Sequence, residues 1–321
     1  MKRHAADRPT VDRPRSIAAL VKPAAVAATV IAVVVVAFVV VRVAAGGRSA
    51  SPAGSPNPAP TSSARSRPRG APPQSRADRL VFRIDRAQEI IDDTGSPAPA
   101  LARSGRLQQL ATRVLEGDAI PVRRAALALL QRRAATAMRT NLDAAAALSG
   151  LTVRRKHFPP WRIIQPPPAR TLLDYFHAAQ SRFGVPWQDL AAIELIETDY
   201  GRIRGPSLAG AQGPMQFMPA TWARYGSGSI DNQRDAIMSA ARYLVANGAP
   251  GDMADALYHY NNSTLYIHAV EDYARELRGD PRAFYGYYYW QVLFPHTGGP
   301  VILPAGYPKV RPAPIVYPDE P

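Results

Sequence analysis

Residues 196–222 read IETDYGRIRGPSLAGAQGPMQFMPATW, and this stretch decides both the fold and the chemistry that the chain predicts. A single carboxylate, Glu197, ends a strongly apolar segment. A glycine-rich loop follows and carries Ser207, Met215, Gln216 and Phe217. One carboxyl group beside a thin polar loop is the arrangement that a site with a single acid/base would need.

The segment before the loop predicts a buried helix. Residues 186–198 read PWQDLAAIELIET, and Pro186 suits the first turn of a helix because its missing N–H is not needed there. Apolar side chains spread around nearly the whole helical circumference, which is typical of a central helix. Gly201 and Gly205 would then break the helix. We therefore expect Glu197 to emerge from packed apolar surroundings into a loop-lined cleft.

Glu197 has the surroundings that a general acid needs. Cleavage of a glycosidic bond requires a proton on the leaving oxygen and stabilisation of an oxocarbenium-like transition state. A carboxyl group can supply this proton near neutral pH only if its pKa is raised, and burial among apolar side chains raises it. The pattern therefore predicts a site that cleaves polysaccharides, with Glu197 as its acid/base.

Two other carboxylates compete with Glu197. Glu194 lies one turn earlier, and we interpret it as a structural group or as one that supports Glu197. Asp199 follows two residues later, and we interpret it as a side chain that bonds to backbone amides of the loop. A hydrolase with two catalytic carboxylates would need one of them, or a more distant acid, as its second group.

The loop has the composition of a segment that contacts a ligand. Its glycines allow backbone conformations that are closed to other residues, and they allow a ligand to approach closely. Ser207 and the neighbouring alanines keep the loop thin. Gln216 offers two donors and an acceptor for sugar hydroxyls or an acetamido group. Met215 and Phe217 supply apolar packing.

A third element, residues 258–262, reads YHYNN. The hydroxyl group of Tyr260 is a candidate for orienting either the catalytic carboxylate or an acetamido group. The alternative is that Tyr258 and Tyr260 are core residues of an amphipathic helix. His259 and His268 show no metal-ligand pattern, so we expect neither a metal nor a cofactor.

Roughly residues 170–290 resemble the lysozyme-like domain of the soluble-lytic-transglycosylase family, nearest to its membrane-bound type B branch in actinobacteria. Residues 196–222 carry most of the resemblance. The segments DAIMSAARYLVANG (235–248) and YNNSTLYIHAVEDYA (260–274) follow in the expected order. The resemblance implies a mainly α-helical, lysozyme-like catalytic domain with its cleft between helical lobes.

The same resemblance implies an activity and a set of site residues. Glu197 would act as both acid and base on the β-1,4 bond between MurNAc and GlcNAc in peptidoglycan, and the muramoyl 6-hydroxyl would attack to give a 1,6-anhydro end. Glu194 departs from the family pattern, which has a neutral residue such as Asn there, and its charge would raise the pKa of Glu197 further. The residues implied in substrate binding are Ser207, Met215, Gln216, Phe217, Tyr260 and Asn261.

Two other functions stay open. A lysozyme-type hydrolase on the same fold would add water and leave a reducing end. A catalytically silent scaffold that binds the cell wall and serves cell division is disfavoured, because Glu197, Ser207, Gln216 and Tyr260 are all present.

The N-terminal segment predicts a membrane anchor. Residues 23–41 form an uninterrupted apolar run, about as long as the roughly 20 residues that cross a hydrocarbon core, and basic side chains precede it. By the positive-inside tendency, residues 1–22 are cytoplasmic, residues 23–43 cross the membrane once, and the catalytic domain is extracytoplasmic. A cleaved signal peptide and a secreted protein are the alternative, because small residues follow at 44–46.

The rest of the chain divides by composition. We expect a disordered Pro/Ser/Ala-rich linker over 44–78, a helical extension over 79–150 and a Pro-rich connector over 151–169. The lytic transglycosylase domain then covers 170–292, and a Pro-rich C-terminal tail covers 293–321.

Two of these segments have alternative roles. In the extension, residues 80–95 and 123–150 are predicted to be amphipathic helical stretches, and Gly95, Pro97 and Pro99 break the helix between them. The extension at 79–150 is interpreted as a packing element, a wall-contact arm or an oligomerisation element. The aromatic residues at 285–290 either stack on sugars or, as we favour, pack the last segment onto the domain.

Charge and cysteine content limit the partners. The net charge is +14, and it is uneven: residues 1–78 and 79–170 each carry +9, whereas residues 171–321 carry −4. A basic N-terminal half favours anionic lipids or anionic wall polymers. We discount nucleic acid, because the charge flanks a predicted membrane segment and no nucleic-acid-binding motif is present. With no cysteine, thiol catalysis and thiolate metal sites are excluded.

Overall fold

The computed structural model describes residues 75–316. The predicted cytoplasmic segment (1–22), the predicted span (23–43) and almost all of the predicted linker (44–78) lie outside the described residues. Within 75–316, no helix combines the length and the apolar character that crossing a membrane requires.

Four helices form the N-terminal half of the described chain. The capping box of Ser75 and Asp78 begins the first, since each side chain accepts the other's backbone N–H. The predicted break around Pro97 is confirmed. Residues 123–150, read from the sequence as one helical stretch, are two helices that meet at Leu130 and Gln131. The helices are α1 (Arg76–Asp92), α2 (Ala98–Gly117), α3 (Ile120–Leu129) and α4 (Arg132–Ser149).

Seven further helices follow the proline-rich connector. They begin directly after Pro168 and end at Tyr288, within the predicted catalytic domain. They are α5 (Ala169–Phe183), α6 (Trp187–Thr198), α7 (Pro219–Tyr225), α8 (Gln233–Ala246), α9 (Met253–Tyr260), α10 (Thr264–Gly279) and α11 (Ala283–Tyr288).

Helix α6 lies at the centre of the largest core. Every residue of this helix except Gln188 is buried, as its all-round apolar pattern predicts. The carboxylate of Asp189 is buried as well, and Arg278 of α10 neutralises it with two hydrogen bonds of 3.0 and 3.1 Å. Helix α10 packs against both α6 and α4.

The hydrophobic cores cross the predicted domain boundaries. Ala144, Ala145 and Leu148 of α4 belong to the same core as α6, α8 and α10. A second core lies among α1, α2, α3 and α4. Of the three roles suggested for residues 79–150, these contacts support the packing role. The domain boundary at residue 150 stays a prediction.

Short strands that were not predicted from the sequence lie in the connector, directly after the turn that ends α6, and in the C-terminal segment. The pair β1 (Arg162–Ile163) and β2 (Ile203–Arg204) is antiparallel, and so is the sheet β3 (Val292–Phe294), β4 (Val301–Leu303) and β5 (Ala313–Pro314). Trp161, Ile163 and Phe294 share a third core between these strands. The segment after residue 292 is thus folded, because Trp161 and Ile163 of the connector pack against its buried apolar residues, such as Phe294 and Leu303.

The observed fold is mainly α-helical, as predicted. Of the aromatic residues at 285–290, Tyr287 and Trp290 pack inward, as favoured above, whereas Tyr285, Tyr288 and Tyr289 are partly exposed. Tyr287 donates a hydrogen bond of 2.7 Å to Asn141 of α4. The description of the fold as lysozyme-like stays a prediction.

Candidate functional site

The site is built at the C-terminal end of α6. The helix ends at Thr198, and the chain then reverses through three residues with positive φ, which are Asp199, Tyr200 and Gly201. This reversal directs the chain into β2 and the loop over residues 205–218, which we call the motif loop. Glu197 therefore lies on the last turn of a rigid, buried helix, immediately beside a segment of irregular backbone.

Glu197 is fully buried, and its pKa is raised to about 8. Burial is the main cause, because a buried carboxylate loses its hydration. A hydrogen bond of 2.8 Å from the hydroxyl of Tyr266 to Oε1 acts in the opposite direction and lowers the pKa. Oε2 has no hydrogen-bond partner. At neutral pH the carboxyl group is thus mostly protonated, with one oxygen not engaged by the protein.

Complete burial differs from the expected emergence of Glu197 into a loop-lined cleft. The side chain has no solvent-exposed surface. The reason is that the motif loop folds back against the end of α6, where the hydroxyl of Thr198 donates a bond of 2.6 Å to the carbonyl of Pro214. The expectation that Glu197 emerges from its apolar surroundings is therefore wrong for this conformation.

Hydrogen bonds bring the three sequence elements together. The hydroxyl of Tyr260, at the end of α9, donates a bond of 2.6 Å to the carbonyl of Met215 in the motif loop. The ring of Tyr266 in α10 lies parallel to that of Tyr260, with centroids 6.4 Å apart. Because Tyr266 also binds Glu197, helix α6, the motif loop and the α9–α10 junction form one continuous cluster.

Three predicted substrate-binding residues lie in or beside this cluster. Ser207 closes the tip of the motif loop, since its Oγ accepts a bond of 3.0 Å from the amide of Ala211. Gln216 has a positive φ and donates to the carbonyl of Gly213, while its Oε1 is buried without a partner. The Nδ2 of Asn261 is also buried without a partner. Buried unpaired polar atoms are costly, so these atoms are candidates for contact with a ligand.

Met215 and Phe217 are buried in the main core. Phe217 packs against the rings of Trp222, Tyr243 and Tyr260. Their observed contacts are packing contacts that hold the loop. Contact between these two residues and substrate stays a prediction.

Tyr260 has a different partner from either of the two that the sequence suggested. Its hydroxyl binds the backbone of the motif loop, and Tyr266 is the tyrosine that binds the carboxyl group of Glu197. Tyr266 was not among the site residues predicted from the sequence. The only available signal was its place three residues after Ser263, the N-cap of α10, which puts Tyr266 in the first turn of a helix that follows the Tyr-Asn pair.

Glu194 is held by a neighbouring helix through Oε1, while its Oε2 has no hydrogen-bond partner. It is fully buried, and it accepts a short hydrogen bond from Gln233 of α8, which is itself bound by Arg204 at 3.1 Å. Burial raises the pKa of Glu194 well above its ordinary value, although the charge of Arg204 opposes this. The expectation that charge on Glu194 raises the pKa of Glu197 is not supported, because burial is the cause at Glu197.

Asp199 does not bind the loop amides, so that interpretation is wrong. Neither carboxylate oxygen has a hydrogen-bond partner, and the nearest cation is Arg202 at 3.7 Å. The reason lies in the backbone, because Asp199 adopts a left-handed conformation at the helix end and its side chain stays buried. Burial raises its pKa to about 7, against the lowering effect of Arg202.

The connector holds the beginning of the motif loop. Nε1 of Trp161 donates a bond of 3.1 Å to the carbonyl of Pro206, directly before Ser207. A side chain at Gly205 would place its Cβ only 2.8 Å from the Trp161 ring, and Gly205 has a φ of 148°. Glycine is therefore required here, since any Cβ would push the indole ring away from the loop.

Within residues 75–316, no group of three or more His, Cys, Asp or Glu side chains is arranged to hold a metal ion. The polar groups that the fold brings together at the site are carboxyl, hydroxyl and amide groups, which suit proton transfer.

One curated protein is similar to this chain. Membrane-bound lytic murein transglycosylase F from Thiobacillus denitrificans is 30% identical over 132 residues, which cover 38% of this chain and 28% of that protein. The chain thus matches little more than a quarter of the length of this relative. No protein-family model matches the chain, and no solved structure matches it.

Proposed function

We propose that this protein is a peptidoglycan lytic transglycosylase that cleaves the β-1,4 bond between MurNAc and GlcNAc. The observation that carries the proposal is Glu197: a fully buried carboxyl group with a pKa raised to about 8 and one free oxygen, set against the motif loop. The similarity to a lytic murein transglycosylase supports the same activity.

In the first step, Glu197 acts as the general acid. Its proton moves to the glycosidic oxygen as the bond between that oxygen and the anomeric carbon of MurNAc breaks, and GlcNAc leaves as an alcohol. A raised pKa keeps the proton on Glu197 until it is needed. The hydrogen bond from Tyr266 then stabilises the carboxylate that this transfer produces.

In the second step, the same carboxylate acts as the general base. It takes the proton of the muramoyl 6-hydroxyl, whose oxygen bonds to the anomeric carbon and closes the 1,6-anhydro ring. Glu197 is protonated again, and no water is consumed. One carboxyl group therefore suffices, which fits a site where Glu194 is engaged by Gln233 and Asp199 lies near Arg202.

Ser207, Gln216 and Asn261 are proposed to bind the substrate directly. The unpartnered Oε1 of Gln216 suits a sugar hydroxyl or an amide N–H, and the unpartnered Nδ2 of Asn261 suits an acetamido carbonyl. The hydroxyl proton of Ser207 is available because its Oγ only accepts from Ala211. Tyr260, Met215 and Phe217 support these groups from the core side.

Substrate access requires the motif loop to move. Glu197 has no exposed surface, so a glycan strand cannot reach it in the described conformation. The motif loop is the irregular segment that binds the end of α6, and its Leu208 is 77% exposed. We propose that glycan binding displaces this loop and opens the path to Oε2.

Residues 23–43 are proposed to anchor the enzyme in the membrane, with the catalytic region outside the cytoplasm. The apolar run at 23–41 and the basic side chains before it support this placement. The name of the similar protein also describes that protein as membrane-bound. We also propose that the protein is nearest to the membrane-bound type B branch of the family, as found in actinobacteria.

The test is mass spectrometry of the soluble products formed from purified peptidoglycan by the full chain. Muropeptides that are one water lighter than hydrolysis products, absent with Glu197→Gln, would support transglycosylation by this residue. Asp174→Asn, an exposed carboxyl group of α5, is the matched control and should leave the products unchanged.

The other outcomes point to other functions. Products that contain the added water would overturn the proposal in favour of a hydrolase, and Asp199 would then be the next carboxylate to replace. Intact glycan with retained binding would favour the scaffold.

A further inference from the structure

Helix α3 leaves an apolar face uncovered. Of its ten residues only Ala126 is buried. The side chains of Ile120, Val122 and Leu129 are 61%, 51% and 51% exposed. At helical spacing the exposed arc also contains Pro121, Ala125, Ala128 and a single charged residue, Arg124. A contiguous apolar face of this kind, in a region of high positive charge, marks a contact surface.

Guanidinium groups border this face. A groove of about 410 Å³ runs beside α3, with apolar side chains and arginines in its walls. Asp143 is the single carboxylate in the groove. None of the three arginines forms an ion pair with another residue in the part of the chain that the structure describes. The lining residues are Ile120, Arg123, Arg124, Leu127, Arg139, Leu142 and Asp143.

We propose that α3 docks the folded part of the chain onto an anionic phospholipid membrane. The apolar side chains enter the boundary between headgroups and acyl chains, and the guanidinium groups bind the headgroup phosphates. A soluble anionic polymer would satisfy the arginines but leave Ile120, Val122 and Leu129 in water. A second copy of the chain would cover the apolar face but bring like charges together.

The chain outside the described residues places a membrane within reach. The apolar run at 23–41 is the predicted span, and α1 begins at Arg76. The residues between them extend at most about 120 Å, so α3 can reach the surface of a membrane in which the proposed anchor lies. The docking proposal rests on the proposed membrane anchor and does not depend on the catalytic proposal.

The experiment uses the full chain in lipid nanodiscs. The natural chain has no cysteine, so Leu129→Cys can carry a single environment-sensitive NBD dye. In discs of phosphatidylglycerol and phosphatidylcholine, we expect blue-shifted emission and protection from aqueous iodide. In discs of phosphatidylcholine alone, protection should be lost. Ser181→Cys, an exposed position on α5, is the control and should stay open to iodide in both.

Charge variants test the role of the arginines. Replacing Arg123, Arg124 and Arg139 by Gln should reduce the ratio of protected to unprotected dye about five-fold for each arginine removed. The matched control removes the same charge from Arg170, Arg182 and Arg234, exposed residues of other helices, and should leave the ratio unchanged.

Three results would overturn the proposal. The first is equal iodide access at positions 129 and 181 in anionic discs. The second is protection that requires two chains per disc, which would identify a second copy as the occupant. The third is full protection in the triple arginine variant, with helix content unchanged by circular dichroism, since headgroup binding would then contribute nothing.

Discussion

Burial and one hydrogen bond act on Glu197 in opposite directions. Burial raises its pKa to about 8, whereas the hydroxyl of Tyr266 favours the ionised form. The proposed reaction needs both effects, because the same group must first hold a proton and then act as a carboxylate. At the scale of single residues, the pKa of Glu197 is therefore set by burial, which raises it, and by the hydrogen bond from Tyr266, which lowers it.

Replacing Tyr266 by Phe should shift the pH–rate profile. With the native residue, we expect the rate to fall as the pH rises through about 8, because the acid form of Glu197 is lost. Tyr266→Phe removes the interaction that lowers the pKa, so the alkaline limb should move to higher pH while the rate at its maximum falls about ten-fold. Steady-state rates between pH 5 and 10 measure both effects, and an unmoved limb would contradict this role.

Glu197→Gln should stabilise the protein while abolishing turnover. Since the folded pKa lies above the ordinary value of 4.5, ionisation costs stability, and this cost accumulates as the pH rises from about 4.5 to about 8. The neutral amide removes the cost, so the gain should grow over this window to at most about 5 kcal/mol. Urea unfolding at several pH values measures the gain. Asp174→Asn, with its exposed carboxylate, should show no such trend.

At the scale of elements, the irregular motif loop is held from two sides. The end of α6 and the end of α9 bind it through Thr198 and Tyr260. On the other side, Trp161 of the connector binds Pro206, and the core between the short sheets keeps Trp161 in place. The connector and the C-terminal sheet thereby contribute to the geometry of a site to which they supply no catalytic group.

Trp161→Phe should weaken substrate use without altering proton transfer. The variant keeps an aromatic ring but loses the N–H that holds Pro206, so the position of Ser207 becomes less defined. We expect kcat/KM to fall about five-fold, equivalent to a typical hydrogen bond, with an unchanged pH profile. Trp290→Phe is the control, because its buried Nε1 has no hydrogen-bond partner to lose. Equal losses in both variants would contradict a specific role for Trp161.

At the scale of the whole molecule, the N-terminal helices and the helices around the site share one core. Leu148 of α4 is fully buried in the core that also contains α6. Helix α11 adds the hydrogen bond from Tyr287 to Asn141 of α4. The stability of the site therefore depends on residues far before it in the chain.

Leu148→Ala should lower the free energy of unfolding of the whole described region by about 3 kcal/mol, in a single transition. The reason is the cavity left in the shared core. Differential scanning calorimetry and the near-ultraviolet signal of the tryptophans should report the same midpoint. Leu208→Ala, at a position that is 77% exposed, should change stability by less than about 0.5 kcal/mol. Two separate transitions would show that α4 folds apart from the site.

The local parts of this protein followed from its sequence. The all-round apolar pattern predicted the buried helix α6, and the end of that pattern selected Glu197. Proline and glycine predicted the break between α1 and α2. These features depend on residues within one or two turns of each other, and periodicity and turn chemistry act over that range.

Contacts between distant residues depended on the tertiary structure. Tyr266 binds Glu197 across 69 positions of the chain, Gln233 engages Glu194 across 39, and Trp161 holds Pro206 across 45. Tyrosines at 260 and 266 are equivalent candidates in a linear pattern, and only packing assigns one to the carboxyl group and the other to the loop. The sequence alone determined that Glu197 ends a buried helix and is the candidate proton donor, because the burial of a helix follows from its own periodicity. The tertiary structure decided which groups bind its carboxyl group, because hydrogen-bond partners are set by where separate helices meet.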